Sequence, residues 1–544
     1  MFENNDLNFP LSLDLEEQVI LSSAENKVFQ CQFINNYSKI IVDVNLILNY
    51  LNYSIIIETK EKNEILNINF DDFISFKNEN DLDSEKVNNI KSQYMEKLII
   101  GKQLCKLTFI PKINKSKCNL LSCIFCCDCQ KNKIYTEREI YIIYLLIKSN
   151  IMEEISSSLN FRLKLNELKA KNRKRKILAF INPISGKGYA INIWKKAKKI
   201  LLLANLEITE IYTNREKHAY EVVLNLKINE YDGIINCSGD GILHEIINGI
   251  MHKKDRNIFL NNIIVSALPA GSANGFSKAI SDYCNEDNRL ETHCYFIGKG
   301  LSKKIDLDEY EIKNYNNKIY SFLTLTWSFI ADCDLESENL RCLGMFRTTL
   351  IGILRFICLR KYYGSLYYLP KDSNININSI PSINENINED DYGLIKENDQ
   401  YNLFIANNTK FVSETQMPNP LSKLEDGLID LIYLKGSDSG KYDLWNELVY
   451  YLDNGNKIIT KDNNIIDGIH YVQTKFWRLI PKSKLNDPDD VNYIINFNTF
   501  YSIDGERYNI YPVQCKVLEK VISVYCGKEW FYNYFIDFVL SNYF

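Results

Sequence analysis

Three short stretches combine glycine, small polar residues and an ionisable or amide side chain in a way that suits anion chemistry. They are Asn182-Pro183-Ile184-Ser185-Gly186-Lys187-Gly188, Ser238-Gly239-Asp240-Gly241 and Leu268-Pro269-Ala270-Gly271-Ser272-Ala273-Asn274-Gly275. Each follows an apolar run and precedes a segment of helical period, so its backbone N–H groups can turn towards an anion at a helix N-terminus. The first is not a P-loop, because Gly-x-x-x-x-Gly-Lys-[Ser/Thr] needs glycine where Ile181 stands and a hydroxyl where Gly188 stands. In the second, a carboxylate sits between two residues of permissive backbone. It can face a cleft, accept a proton from a hydroxyl nucleophile or help to position a metal-bound phosphate. The plainer alternative for Asp240, as for His244 and Glu245 just after it, is a helix cap. Together the three loops describe a surface for a polyphosphate, and the lack of a Gly-x-Gly-x-x-Gly fingerprint speaks against a dinucleotide.

These loops need rigid elements behind them. Ile177 to Ile181 predicts a buried strand, Ile191 to Leu203 a helix, Glu207 to Tyr212 a strand and Gly233 to Cys237 another, with a further strand before Leu268. Strands alternating with helices predict a parallel, doubly wound, Rossmann-like α/β domain over 176–305, in which ligands gather at the carboxyl ends of strands. Beyond residue 306 strand runs predominate, predicting an antiparallel β-sandwich over 306–544, with helical patterns at 338–360 and 441–458. An Asn-rich insert at about 371–400 is too poor in apolar residues to offset its chain entropy and is expected to be disordered. Residues 1–25 are expected to form a flexible arm, 26–135 a β-rich module and 136–175 a helical linker that starts at a Thr136/Glu139 capping box. The basic end of that linker, Arg173 to Lys176, fits a solvated face better than a membrane-surface or nuclear address.

The whole chain bounds the reading. Its 544 residues, 46% hydrophobic and 24% charged, suit a soluble protein of two to four domains at roughly one per 150 residues. A net charge of −5 gives no basis for a nucleic-acid partner. The sequence shows neither a signal-peptide pattern at its start nor an uninterrupted apolar run long enough to span a bilayer, so a cytosolic protein is expected. The 15 cysteines are expected as free thiols. Cys118, Cys123, Cys126, Cys127 and Cys129 leave open a zinc clip, reversible lipidation or a loop with spare thiols.

The three loops, in this order and at these separations, resemble the catalytic domain shared by diacylglycerol kinases, ceramide kinases and sphingosine kinases, over most of residues 176–540. The resemblance implies a nucleotide cleft between an α/β domain and a β-sandwich, ATP and magnesium as cofactors, and Asp240 as general base. Residues 325–347, with Ile-Ala-Asp-Cys-Asp-Leu-Glu-Ser-Glu at their centre, look like the sphingosine kinase version of this segment. That implies pairing of Asp334 with the ammonium of a sphingoid base, and contact of Arg341 and Arg347 with the ATP phosphates. A free amine in an apolar tunnel needs a carboxylate, and forked guanidinium donors suit phosphate. By the same resemblance the nucleotide contacts are Asn182, Pro183, Ile184, Gly186, Lys187, Gly188, Thr213 to Lys217, Ser238, Gly239, Gly241, Glu245, Gly271, Ser272, Asp504, Gly505 and Glu506. The lipid hydroxyl would meet Ser238 to Gly241, and the Asp-Gly-Glu element would return to the nucleotide and its magnesium. Asn214 and Ala273 depart from the family's acidic residue and glycine. The acyl chain would run along Phe346 to Phe356. The implied partners are a sphingoid-base lipid and a peripheral membrane surface, with homodimerisation left open. Diacylglycerol or ceramide kinase and an inactive lipid-binding scaffold are the alternatives.

Overall fold

A computed structural model describes the backbone of nine strands between residues 27 and 148. It also describes residues 174–527, apart from 205, 338–339, 341–345, 438–467 and 490–498, and apart from the side chains of Lys187 and residues 346–349. The chain divides into two compact units, one ending at Arg173 and the other holding Lys174 onwards, with 203–205 grouped with the first.

The first unit is antiparallel. Its strands are β1 (Lys27–Asn35), β2 (Ile40–Asn49), β3 (Ser54–Thr59), β4 (Glu64–Asn69), β5 (Phe73–Lys77), β6 (Lys102–Phe109), β7 (Lys112–Ser116), β8 (Ile134–Arg138) and β9 (Tyr141–Lys148). Seven form a sheet in the order β4-β3-β2-β1-β9-β6-β5, while β7 and β8 pair with each other. The expected helix from Thr136 is therefore replaced by β8 and β9. The reason is non-local: β9 pairs with β1 on one side and over all eight residues with β6 on the other, and this ladder outweighs a local capping signature. The rest of the expected linker, the arm before residue 27 and the cysteine cluster lie outside the described residues.

The second unit opens with four parallel strands, β10 (Lys176–Ile181), β11 (Glu207–Tyr212), β12 (Gly233–Cys237) and β13 (Ile264–Ala267), in the order β11-β10-β12-β13. Residues 177–181 and 233–237 are all buried, as continuous apolar runs must be in a sheet covered on both faces. The helices are α1 (Ala190–Leu203), α2 (His218–Asn225), α3 (Asp240–Met251), α4 (Arg256–Asn262), α5 (Gly275–Tyr283) and α6 (Leu290–Lys299).

Antiparallel strands follow: β14 (Ser302–Ile312), β15 (Ile319–Ser321) and β16 (Thr324–Ser328), then helices α7 (Phe329–Ser337) and α8 (Phe346–Ile357). After β17 (Tyr363–Tyr368) and the single turn α9 (Glu389–Tyr392) come β18 (Ile395–Asn407), β19 (Ile429–Lys435), β20 (His470–Thr474), β21 (Phe476–Lys482), β22 (Phe500–Ile503), β23 (Glu506–Asn509) and β24 (Val513–Tyr525). Strand β24 lies parallel to β13 and antiparallel to β14 and β21, so one sheet runs through both halves of the unit. The expected break at residue 305 falls inside β14. Tyr310, Trp327, Tyr401, Phe404, Tyr433, Trp477 and Tyr501 are buried together in the antiparallel half.

Two further expectations change. Strand runs were expected to predominate from residue 306 up to the helical pattern at 338–360, but β16 ends at Ser328, whose φ of 65° is left-handed, and α7 begins at the next residue. The Asn-rich insert is ordered rather than disordered. Ile380 and Leu394 are buried with Tyr367 and Phe476, and the buried Arg478 guanidinium donates to the carbonyls of Pro381, Ser382 and Glu385. A few apolar anchors and one buried cation replace the missing hydrophobic content. The expected helix at 441–458 lies outside the described residues.

Candidate active site

In the order β11-β10-β12-β13 the connections diverge between β10 and β12, and the crevice past their carboxyl ends is where open α/β sheets hold ligands. Ile181 stands beside Cys237 in register, so the loops beginning at Asn182 and Ser238 leave the sheet side by side. The third loop follows β13 on the far side of β12. Packing between the loops is at backbone distance: a Cβ on Gly271 would stand 2.3 Å from the Gly239 Cα, and one on Gly186 2.6 Å from the Ala270 carbonyl oxygen. Ser185 Oγ donates to the same carbonyl at 3.4 Å.

Asp240 is the first residue of α3. Its Oδ2 accepts from the Gly275 N–H at 3.0 Å and its Oδ1 from the Phe276 N–H at 3.3 Å. It thus caps another helix, α5, rather than its own. Burial pushes its carboxyl up to about 6, opposed by the two N–H groups and assisted by the charge of Asp504. The residue keeps partial exposure, so the acid is both perturbed and reachable, the combination expected of a general base. Asn236, buried in β12, donates to the Gly239 carbonyl at 2.9 Å and fixes the turn from below. Asn274, at a left-handed φ of 56°, accepts from the Gly271 N–H at 2.7 Å and donates back to the Gly271 carbonyl at 3.1 Å. Neither asparagine was singled out from the sequence. The three-residue return from Asn274 to Gly271 is the signal that could have found the second.

The Asp-Gly-Glu element arrives from the far end of the chain. Asp504 and Gly505, with φ of 52° and 86°, form the two-residue turn between β22 and β23 that favours Asp-Gly. Asp504 Oδ1 accepts from Ser321 Oγ at 2.6 Å and from the N–H groups of Leu323 and Thr324, each at 3.1 Å. Its Oδ2 lies 2.8 Å from His244 Nδ1, and His244 Nε2 lies 3.0 Å from the Tyr508 hydroxyl. Both Asp504 oxygens are engaged inside the protein, and the carboxylate latches α3 to the hairpin. Glu506 is the carboxylate that reaches the loops: its Oε1 would stand 2.6 Å from a Cβ on Gly241.

The remaining expected residues divide. Thr213 is buried, and its N–H donates to Ile181 O at 2.9 Å beside the first loop. Asn214, Arg215, Glu216 and Lys217 are exposed, with Arg215 held bidentately by Glu221. Glu245 accepts from the N–H groups of Lys217, Ala219 and Tyr220 at 2.9, 3.0 and 3.4 Å. It caps α2 and positions the 213–217 segment. Ile184, Gly188, Ser272 and Ala273 are exposed, so the Ala273 methyl takes no room inside its loop. Asn182 Oδ1 accepts from the Ile184 N–H at 3.2 Å. Pro183 is half-buried and Ser238 buried.

On α7, Asp332 pairs with Arg360 at 2.8 Å and Glu336 bidentately with Arg355 at 2.6 Å. Asp334 Oδ2 accepts from Ser502 Oγ at 2.7 Å, two residues before Asp504, which ties α7 to the hairpin. Arg341 and the side chains of Arg347 and Lys187 lie outside the described residues.

The diacylglycerol kinase catalytic domain is the family that matches residues 176–309. The chain is 28% identical over 341 residues to Sphingosine kinase 1 of Arabidopsis thaliana, covering 58% of this chain and 66% of that protein. It is 35% identical over 206 residues to Sphingosine kinase 1 of Homo sapiens, covering 36% and 53%. It is 28% identical over 367 residues to Sphingoid long chain base kinase 4 of Schizosaccharomyces pombe, covering 64% and 74%. The match thus spans between about half and about two thirds of the two sphingosine kinases.

Proposed function

We propose that the chain, whose residues 176–309 match the diacylglycerol kinase catalytic domain and which is similar to sphingosine kinases, is a lipid kinase that transfers the γ-phosphoryl group of ATP to the primary hydroxyl of sphingosine or a related long-chain base, giving sphingosine 1-phosphate and ADP. The observation that carries the reading is Asp240, held by the Gly275 and Phe276 N–H groups where three glycine loops meet, with its carboxyl pushed up to about 6.

Asp240 takes the proton from the lipid hydroxyl as its oxygen attacks phosphorus, and its raised basicity suits that task near neutral pH. The loops offer backbone N–H groups to the phosphates, which is most of what phosphoryl transfer asks of a protein. Magnesium, with ATP, supplies neutralisation of the phosphate charge. Among the described residues no cluster of three His, Cys, Asp or Glu holds an ion by itself. Glu506, which reaches the loops, is the residue that would hold the cation together with the phosphates. Asp334 takes the ammonium of the base.

In the same reading the antiparallel strands form the β-sandwich that receives the acyl chain, against Phe329, Leu403, Ile405 and Ile432 with Phe356 and Leu359 packed over them. The protein would be cytoplasmic and visit membranes peripherally, with the β-rich N-terminal module, residues 26–135, assisting. No helix among the described residues is long and apolar enough to cross a membrane. The surface that supports peripheral contact is α8, where Leu350, Ile353, Leu354 and Ile357 are exposed at helical spacing.

A panel of sphingosine, dihydrosphingosine, phytosphingosine, ceramide and diacylglycerol, assayed with wild type and Asp334→Asn, tests the reading. Activity confined to the amine-bearing lipids and lost in the variant is expected. Transfer to diacylglycerol or ceramide that ignores the substitution would assign the other lipid class, and no transfer to any lipid would leave a binding scaffold.

A further inference from the structure

The segment following β18 lies along α5, from Asp282 back to Gly275, and its contacts converge on the third loop. Lys410 pairs with Asp282 at 3.7 Å, the Lys278 ammonium sits 4.6 Å from the Phe411 ring centroid, and Ser413 bridges Asn274 in antiparallel fashion. A Cβ on Gly275 would stand 2.6 Å from the Val412 carbonyl oxygen. The Glu414 N–H donates to Ala273 O at 2.9 Å, and Glu414 Oε1 accepts from Asn274 Nδ2 at 2.8 Å. The segment is a tight turn in its own right, with Val412 N–H donating to Gln416 O and Gln416 N–H to Ser413 Oγ, each at 3.1 Å.

Asn274 is the joint. It grips both backbone groups of Gly271, a left-handed φ aims it inward, and the next two residues supply the N–H groups that hold Asp240. We propose that Glu414 is a positioning residue for phosphoryl transfer: by fixing the Asn274 amide it holds the Gly275 and Phe276 N–H groups on the Asp240 carboxylate. The inference rests on the kinase reading for its catalytic consequence, though not for its structural one. It also gives a physical link between the lipid half and the base, because β18, which enters this segment, carries Leu403 and Ile405 of the apolar cluster under α7.

Glutamine at 414 retains an oxygen that can accept from Asn274, whereas alanine does not. In Glu414→Ala, hydrogen exchange in full-length protein should quicken over 271–276 while α3 keeps its protection. Its kcat should fall by at least about tenfold, within the roughly hundredfold that an ångström of misplacement costs, with the lipid KM changed less than twofold. Glu414→Gln should restore both readouts. Unchanged exchange over 271–276 in Glu414→Ala would overturn the inference whether or not the protein is a kinase, as would a kcat loss that glutamine does not restore. Wild-type protein that transfers no phosphate would instead remove the kinase reading, leaving the exchange result to decide the contact.

Discussion

Asp240 pays for its position in stability. Burial raises its carboxyl to about 6, so the folded state holds a proton that the unfolded chain releases near the ordinary aspartate value of about 4. That preference favours folding at low pH and is lost as pH rises through about 6. The same titration governs chemistry in the opposite sense, since only the ionised form can accept the lipid proton. In the unliganded enzyme kcat/KM should therefore fall on the acid side with an apparent pKa near 6. Asp240→Asn should lose at least about a hundredfold in turnover, yet melt at or above the wild-type temperature at pH 8, measured by calorimetry; near-normal turnover would return Asp240 to a helix cap. Asp240 was legible as a candidate base because its flanking glycines and strand-end placement are local. Asn236 and Asn274 bond to glycines three residues away, a local signal that was passed over, while Glu414 was not legible, because its partner Asn274 is 140 residues away. His244 looked like a cap for the same reason: Asp504 is 260 residues away.

At the scale of elements, the loops behave as one interlocked body, which makes glycine substitutions unequal. A methyl on Gly271 meets backbone at 2.3 Å, whereas one on Gly239 meets only the Gly271 Cα at 3.6 Å, an ordinary contact. Gly271→Ala should cost about 3 kcal/mol or more, and Gly239→Ala should melt close to wild type, as thermal unfolding of the pair will show. Equal melting would mean that the loops are not packed as described. Sequence alone located β10 to β13 and α1 because their apolar runs carry their own period. It misassigned β9, whose Tyr-Ile-Ile-Tyr-Leu-Leu-Ile run has no polar stripe to separate helix from strand, leaving the choice to β1 and β6. It also missed the start of α7, which depends on one left-handed residue, Ser328. The order in the Asn-rich insert came from Arg478, about a hundred residues later.

For the whole molecule, the exposed α8 face is the cheapest part of the proposal to test. Glutamate at Leu354 and Ile357 together should weaken partition onto vesicles by at least about tenfold, given roughly 1.5–3 kcal/mol for each fully buried aliphatic side chain. Turnover of detergent-dispersed substrate should be retained. Equal partition by the double variant would mean that another surface docks. Strand β24 has a different kind of consequence. It is among the last described segments, yet it lies beside β13 of the parallel sheet and closes it against β14 and β21. During synthesis the ribosome will therefore have released all three glycine loops long before the sheet that carries them can be completed. The nascent chain must wait for its own far end, guarded by whatever binds exposed β-edges in the meantime, and a premature stop before Val513 yields loops without a finished scaffold.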